Sequence, residues 1–232
     1  MRGFAAVSLP RQLVLSFEHG ASFSRDDFLE GPSNAKALRL VERWPDWPAR
    51  VVAIVGPEGS GKSHLADIWA NRTGARRLSA RALDQAAVPG ALATGALALE
   101  NVAEPLDEVA LFHLLNLAKE DDANVLLTTR RPPTLWAVRL PDLASRLRAL
   151  PVVELAAPDD ALLRAVLVKL FVDRQLSVDE SLISYLVARI ERSFAAARAA
   201  VAVLDGEALR QRRPVTRALA ADLFAGAGYH TT

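Results

Sequence analysis

The chain has 232 residues, 51% hydrophobic and 24% charged, which is the composition of one or two globular domains and excludes a disordered or fibrous chain. Lys and Arg number 28 against 27 Asp and Glu, so the net charge of +1 gives no reason to expect a nucleic acid or a membrane as partner. There is no cysteine, no apolar run long enough to span a bilayer, and no secretory leader before Pro10-Arg11-Gln12; a cytoplasmic protein is expected, without disulfides, thiolate metal sites or a cysteine nucleophile.

Residues 1–27 lack sustained periodicity and read as an extended arm. A helix is predicted over 34–43, capped near Ser33 and stopped by Pro45 and Pro48. Residues 50–55 form a short, β-branched apolar run ending at Gly56, the pattern of a buried parallel strand, and a helix follows over 61–72. Further strands are predicted at 77–80, 96–100, 124–129 and 152–155, with helices over 107–120 and 142–150 between the later ones. Strands alternating with helices predict a parallel sheet covered on both faces. After Pro158 the pattern changes to helices alone, over 159–174, 179–191, 194–210 and 216–224. The expected division is an arm at 1–24, an α/β domain at 25–157 and a small all-helical domain at 158–232.

Gly56-Pro57-Glu58-Gly59-Ser60-Gly61-Lys62-Ser63 matches the phosphate-loop pattern G-x-x-x-x-G-K-[ST] in full, between a predicted strand and a predicted helix. The glycines let the backbone turn tightly, so that its N–H groups face a phosphate, and the helix adds its positive N-terminal end. Lys62 supplies a point charge to the β- and γ-phosphates, and the Ser63 hydroxyl is placed to ligate Mg²⁺. A hydrolase of this type carries a carboxylate at the end of a second strand to hold the metal, often beside an acid that activates water. Here that strand ends Leu99-Glu100-Asn101: Glu100 suits the metal role or is simply a strand end, and Asn101 cannot act as a general base. His19, His64, His113 and His230 show no metal-ligand spacing.

Three segments carry a family resemblance. Phe28-Leu29-Glu30-Gly31-Pro32-Ser33-Asn34, the phosphate loop continued by His64-Leu65, and Leu140-Pro141-Asp142-Leu143-Ala144-Ser145-Arg146-Leu147 resemble the ATPase region of the bacterial initiator DnaA. Over nearly its whole length the chain is similar to the DnaA-related regulators of the Hda/HdaA family. The resemblance implies an AAA+ fold, a P-loop three-layer parallel-sheet domain followed by a helical lid. It also implies bound ADP or ATP with Mg²⁺, the phosphate-loop residues and His64 lining the nucleotide, and a cytoplasmic regulator of replication. Such proteins are loaded on the DNA polymerase III sliding clamp (its β subunit) and stimulate hydrolysis of DnaA-bound ATP, which prevents re-initiation. DnaA continues into a helix-turn-helix domain that this sequence does not contain, so no direct sequence-specific DNA binding is expected.

Within that resemblance, Gln12-Leu13-Val14-Leu15-Ser16-Phe17 is similar to the clamp-binding peptide: Gln12 offers hydrogen bonds, and Leu13, Leu15 and Phe17 fill apolar pockets. Taken alone, the alternation fits an edge strand. Arg146 matches the arginine finger, which acts in trans on the charge of a transferring phosphoryl group; taken alone it fits an ion pair with Asp142 one turn earlier. Two departures stand out. Arg130 occupies a position where DnaA is acidic, and Ala195 lies where relatives place a phosphate-sensing arginine. Arg192 and Arg198 flank Ala195 by about a turn, and Arg198 is the one assigned to the nucleotide. A self-sufficient AAA+ ATPase working as a homo-oligomer is the alternative function, and Asn101 speaks against it.

Overall fold

The computed structural model describes residues 24–103 and 106–224. Five strands, β1 (Val51–Val55), β2 (Arg76–Ser79), β3 (Ala96–Val102), β4 (Asn124–Thr129) and β5 (Val152–Glu154), form one parallel sheet in the order β2-β3-β4-β1-β5. The three inner strands are buried on both faces, which is why they read as unbroken apolar runs. Alternation sorts their side chains. Val51, Ala53, Leu97, Leu99, Val125 and Leu127 join one apolar cluster with α4 (Glu108–Glu120) and α5 (Pro141–Ala149). Val52, Ile54, Ala96, Ala98 and Leu126 join another with α1 (Ala35–Arg43) and α2 (Lys62–Thr73), centred on the fully buried Trp69. Each layer alone would expose its apolar face, so the sheet and its two helical layers are stable only together.

A third cluster, running from Leu163 to Phe224, belongs to four helices: α6 (Asp160–Asp173), α7 (Glu180–Val187), α8 (Phe194–Gln211) and α9 (Arg217–Phe224). Capping sets where most of the longer helices begin. Asp107, Asp159, Asp179 and Ser193 each accept a hydrogen bond from the backbone N–H three residues on, at 2.8–3.0 Å. The helix expected over 179–191 is shorter than predicted, because Arg189 and Ile190 both turn their N–H groups onto the Leu186 carbonyl and the chain must bend for Ser193 to cap α8. One four-residue helix, α3 (Val88–Ala91), and two 3₁₀ turns are too brief to leave a periodic signal. Strand β3 runs two residues further than its apolar pattern. Asn101 takes a left-handed conformation (φ 57°), shifting the register between Leu99 and Val102 and turning its N–H to the Thr128 hydroxyl at 3.1 Å.

Candidate nucleotide site

The phosphate loop joins the C-terminal end of β1 to α2, and its glycines answer separate demands. Gly56 is required by contact: a Cβ there would stand 2.3 Å from the Leu155 carbonyl oxygen. Gly59 and Gly61 are required by conformation, with φ of 69° and 101°. Gly56 donates its N–H to Thr129 on β4, and Ser60 donates to the Pro57 carbonyl at 2.8 Å, so sheet and loop fix each other's shape. No acidic residue lies in the first turn of α2, which leaves its positive end uncompensated for an anion.

Lys62 is buried, and its ammonium donates to the carbonyls of Gly56 at 2.8 Å and Pro57 at 2.6 Å. Burial first, and then the nearby Arg130 cation, pull its pKa below the ordinary lysine value, while Glu58 opposes them. Arg130 pairs with Glu58 of the loop at 2.6 Å, so the residue that departs from the DnaA pattern brings a cation to the phosphate side of the site. Ser63 is exposed at the start of α2. His64 faces the Ser24 carbonyl at 2.8 Å through Nε2 and meets the Phe28 ring edge-on at 5.1 Å; its pKa lies below the usual value, chiefly through burial.

The helical unit closes directly on the loop. The Phe194 N–H at the start of α8 donates to the Gly59 carbonyl at 2.8 Å. Ser193 and Ala195 lie so close that a Cβ on Gly59 would meet theirs at 2.8 and 3.0 Å. One turn further on α8, Arg198 is half-buried, and among the described residues no acid pairs with its guanidinium; burial pulls its pKa down. It stands one turn along α8 from Ala195, whose Cβ a side chain on Gly59 would meet at 3.0 Å. Arg192, by contrast, is exposed and paired with Asp160 at 2.8 Å. Of these two arginines, only Arg192 is paired with an acid among the described residues.

Glu100 ends the buried part of β3 as expected, but it has a partner that spacing could not disclose. Arg77 of β2 donates to Glu100 Oε1 through Nε at 2.9 Å and through Nη2 at 2.6 Å, and through Nη1 to Asp67 Oδ1 on α2. Residue spacing holds no signal for this triad, because its members come from three elements. Arg146 lies on α5 with its guanidinium 5.2 Å from the Phe112 ring centroid. Among the described residues no ion pair joins it to Asp142, and no hydrogen bond or ion pair joins it to its own phosphate loop. Gln12, Leu13, Leu15 and Phe17 lie outside the described residues. No cluster of three or more His, Asp or Glu suited to a metal occurs among the described residues.

For a nucleotide the fit is good: a glycine cradle, a buried lysine, a helix start without an acid in its first turn and an arginine that pairs with no acid among the described residues lie around one loop. For a divalent cation the fit is divided, since Ser63 is open while one oxygen of Glu100 is held by Arg77.

No protein-family model matches the sequence, and a search of curated proteins finds no match. Solved structures do match. Domain III of the Thermotoga maritima replication initiation protein DnaA superposes with a TM-score of 0.76 at 18% identity, over 89% of this chain and 97% of that one. AMPPCP-bound DnaA from Aquifex aeolicus gives 0.63 at 20% identity, over 81% of this chain and 68% of that one. The Thermotoga maritima RuvB Holliday junction branch migration motor gives 0.70 at 16% identity, over 88% and 71%. At these identities the likeness is one of fold, and the fold of this chain is accordingly that of a P-loop AAA+ protein: a five-stranded parallel sheet between helical layers, with a small helical unit closed on its phosphate loop.

Proposed function

We propose that this chain is an adenine-nucleotide-bound AAA+ regulator that docks on the replication sliding clamp and stimulates hydrolysis of ATP held by DnaA, so restraining re-initiation. What carries the reading is the division of cations. Lys62 bonds the chain's own loop and Arg198 lies one turn beyond Ala195, which packs on it, whereas Arg146 stands on α5 against Phe112, with no hydrogen bond or ion pair to that loop among the described residues. In this reading the loop N–H groups, Lys62 and Arg198 hold the phosphates of ADP or ATP, His64 lines the same site, and Ser63 would face Mg²⁺, with Glu100 beside it held on one oxygen by Arg77. Bound magnesium supplies charge neutralisation between the phosphates. Asn101 cannot take a proton from water, so this chain's own turnover is slow and the productive chemistry lies on the partner. There Arg146 supplies its planar guanidinium to the charge that builds on the transferring phosphoryl group, a contribution of about 10³–10⁵ in rate. AMPPCP in the Aquifex aeolicus DnaA supports adenine as the base.

The test is single-turnover hydrolysis of ATP preloaded on DnaA, with DNA-loaded clamp present. Arg146→Ala is expected to abolish stimulation while sparing nucleotide and clamp binding, and Arg146→Lys to rescue poorly for want of a multi-donor fork. If Arg146→Ala stimulates DnaA as well as wild type but loses this protein's own ATPase activity, the finger serves a second copy of the chain and the protein is a homo-oligomeric ATPase.

A further inference from the structure

Asp67, Arg77 and Glu100 form a charged group that the expected site does not include. Arg77 lies on the edge strand β2, opposite Ala98, so its side chain reaches diagonally to Glu100 two residues on along β3. Asp67 stands one turn beyond Ser63 on α2, on the same helix face as the hydroxyl suited to magnesium. Both carboxylates are less than 10% exposed, and Arg77 meets water on its open side. Asp67 Oδ2 is buried without a hydrogen-bond partner among the described residues.

Two carboxylates share one guanidinium beside the first turns of α2. Arg77 bonds Glu100 with one side of its guanidinium and Asp67 with the other. The guanidinium is thus held by both acids, and it spends two of its donors on the single oxygen Glu100 Oε1. A divalent cation arriving at Glu100 meets a fixed positive charge already bonded to that carboxylate, and like charges at such range repel.

We propose that Arg77 masks Glu100: the guanidinium competes with a nucleotide-borne divalent cation for this carboxylate, so the chain's hold on nucleotide gains little from magnesium. The proposal rests on the nucleotide-binding reading above. It assigns to Arg77, which touches neither phosphate nor metal, a positioning role in keeping a P-loop protein bound to nucleotide and slow to turn over. The opposite role, in which Arg77 orients Glu100 toward the metal as a hydrogen-bonded partner of a ligand, makes the opposite prediction.

The experiment is calorimetric titration of the full-length protein with ADP, in magnesium and in EDTA, the ratio of the two affinities being the readout. For wild type the ratio is expected to stay within about threefold, and for Arg77→Gln to rise about tenfold or more in favour of magnesium, within the usual range of coupling between two ligands. Adding Glu100→Gln to Arg77→Gln should return the ratio to the wild-type value. Asp67→Asn removes one anchor of Arg77 and leaves no unpaired carboxylate, and a smaller shift in the same direction is expected. It carries the test alone if Arg77→Gln fails to fold by circular dichroism. A ratio that falls in Arg77→Gln, or does not move in either variant, overturns the masking role while ADP binding stands. Wild type that binds ADP in neither buffer removes the nucleotide reading, and the masking role with it.

Discussion

Two side chains next to the phosphate loop, Lys62 and His64, answer to burial in different ways. Lys62 keeps two carbonyl acceptors and a lowered pKa, so its ammonium is desolvated and ready to exchange those acceptors for phosphate oxygens. Lys62→Ala is expected to weaken ADP binding at least about 100-fold, or ~2.7 kcal/mol, with equal calorimetric affinity in mutant and wild type counting against the loop assignment. His64 has its pKa depressed, so between the unfolded value and the lower folded one the unfolded chain binds the extra proton. Its contribution to stability is therefore full above about pH 6.5 and is lost as pH falls toward the folded value. Replacing it with glutamine should flatten the fall in melting temperature between pH 7 and pH 5, and an unchanged slope would assign that fall to other groups.

Two glycines show how an element sets the worth of a residue. Gly56 follows β1, and a methyl there meets the carbonyl of Leu155, which is held in place by its own N–H bonded to the Val55 carbonyl at 2.7 Å. Gly56→Ala should cost about 3 kcal/mol by urea unfolding, the upper range for overpacking, and should loosen the loop enough to weaken ADP binding. Gly206 lies in the interior of α8 with nothing within 4 Å of an added Cβ. Gly206→Ala should stabilise the protein by about 0.5–1 kcal/mol, since only the unfolded chain loses freedom. The two changes add the same atom, and their opposite signs test whether close approach or entropy governs each site.

At the scale of the whole molecule, the helical unit and the sheet with its layers have separate apolar clusters, yet they meet at the phosphate loop. Nucleotide at that loop touches both units in our reading, so binding and closure are linked. The segment Gln12 to Phe17 would then act as a tether, raising the local concentration of Arg146 near a partner without adding contacts to the fold. Replacing Leu13, Leu15 and Phe17 together with alanine is expected to remove clamp binding by surface plasmon resonance and leave the melting temperature within about 2 °C of wild type, well under the shift that loss of a packed strand produces. A drop of more than about 5 °C would place those residues in a folded strand.

The phosphate loop, the inner strands β1 and β4 and most of the helices were legible in the amino-acid order, because each is a local matter. A glycine pattern, an unbroken β-branched run, or an Asp or Ser three residues before a free N–H carries its own physical cause. Local pattern reached its limit where partners come from distant segments. That Arg77 would grip Glu100 and Asp67 follows from the pairing of β2 with β3 and the crossing of α2 over them. That of Arg192 and Arg198 only Arg192 is paired with an acid among the described residues follows from Asp160 lying within its reach. Strand β3 outruns its apolar signal because Asn101 adopts a conformation stabilised by Thr128 of a neighbouring strand. Periodicity reports which face of an element is buried, and only the packed arrangement decides which charges that burial brings together.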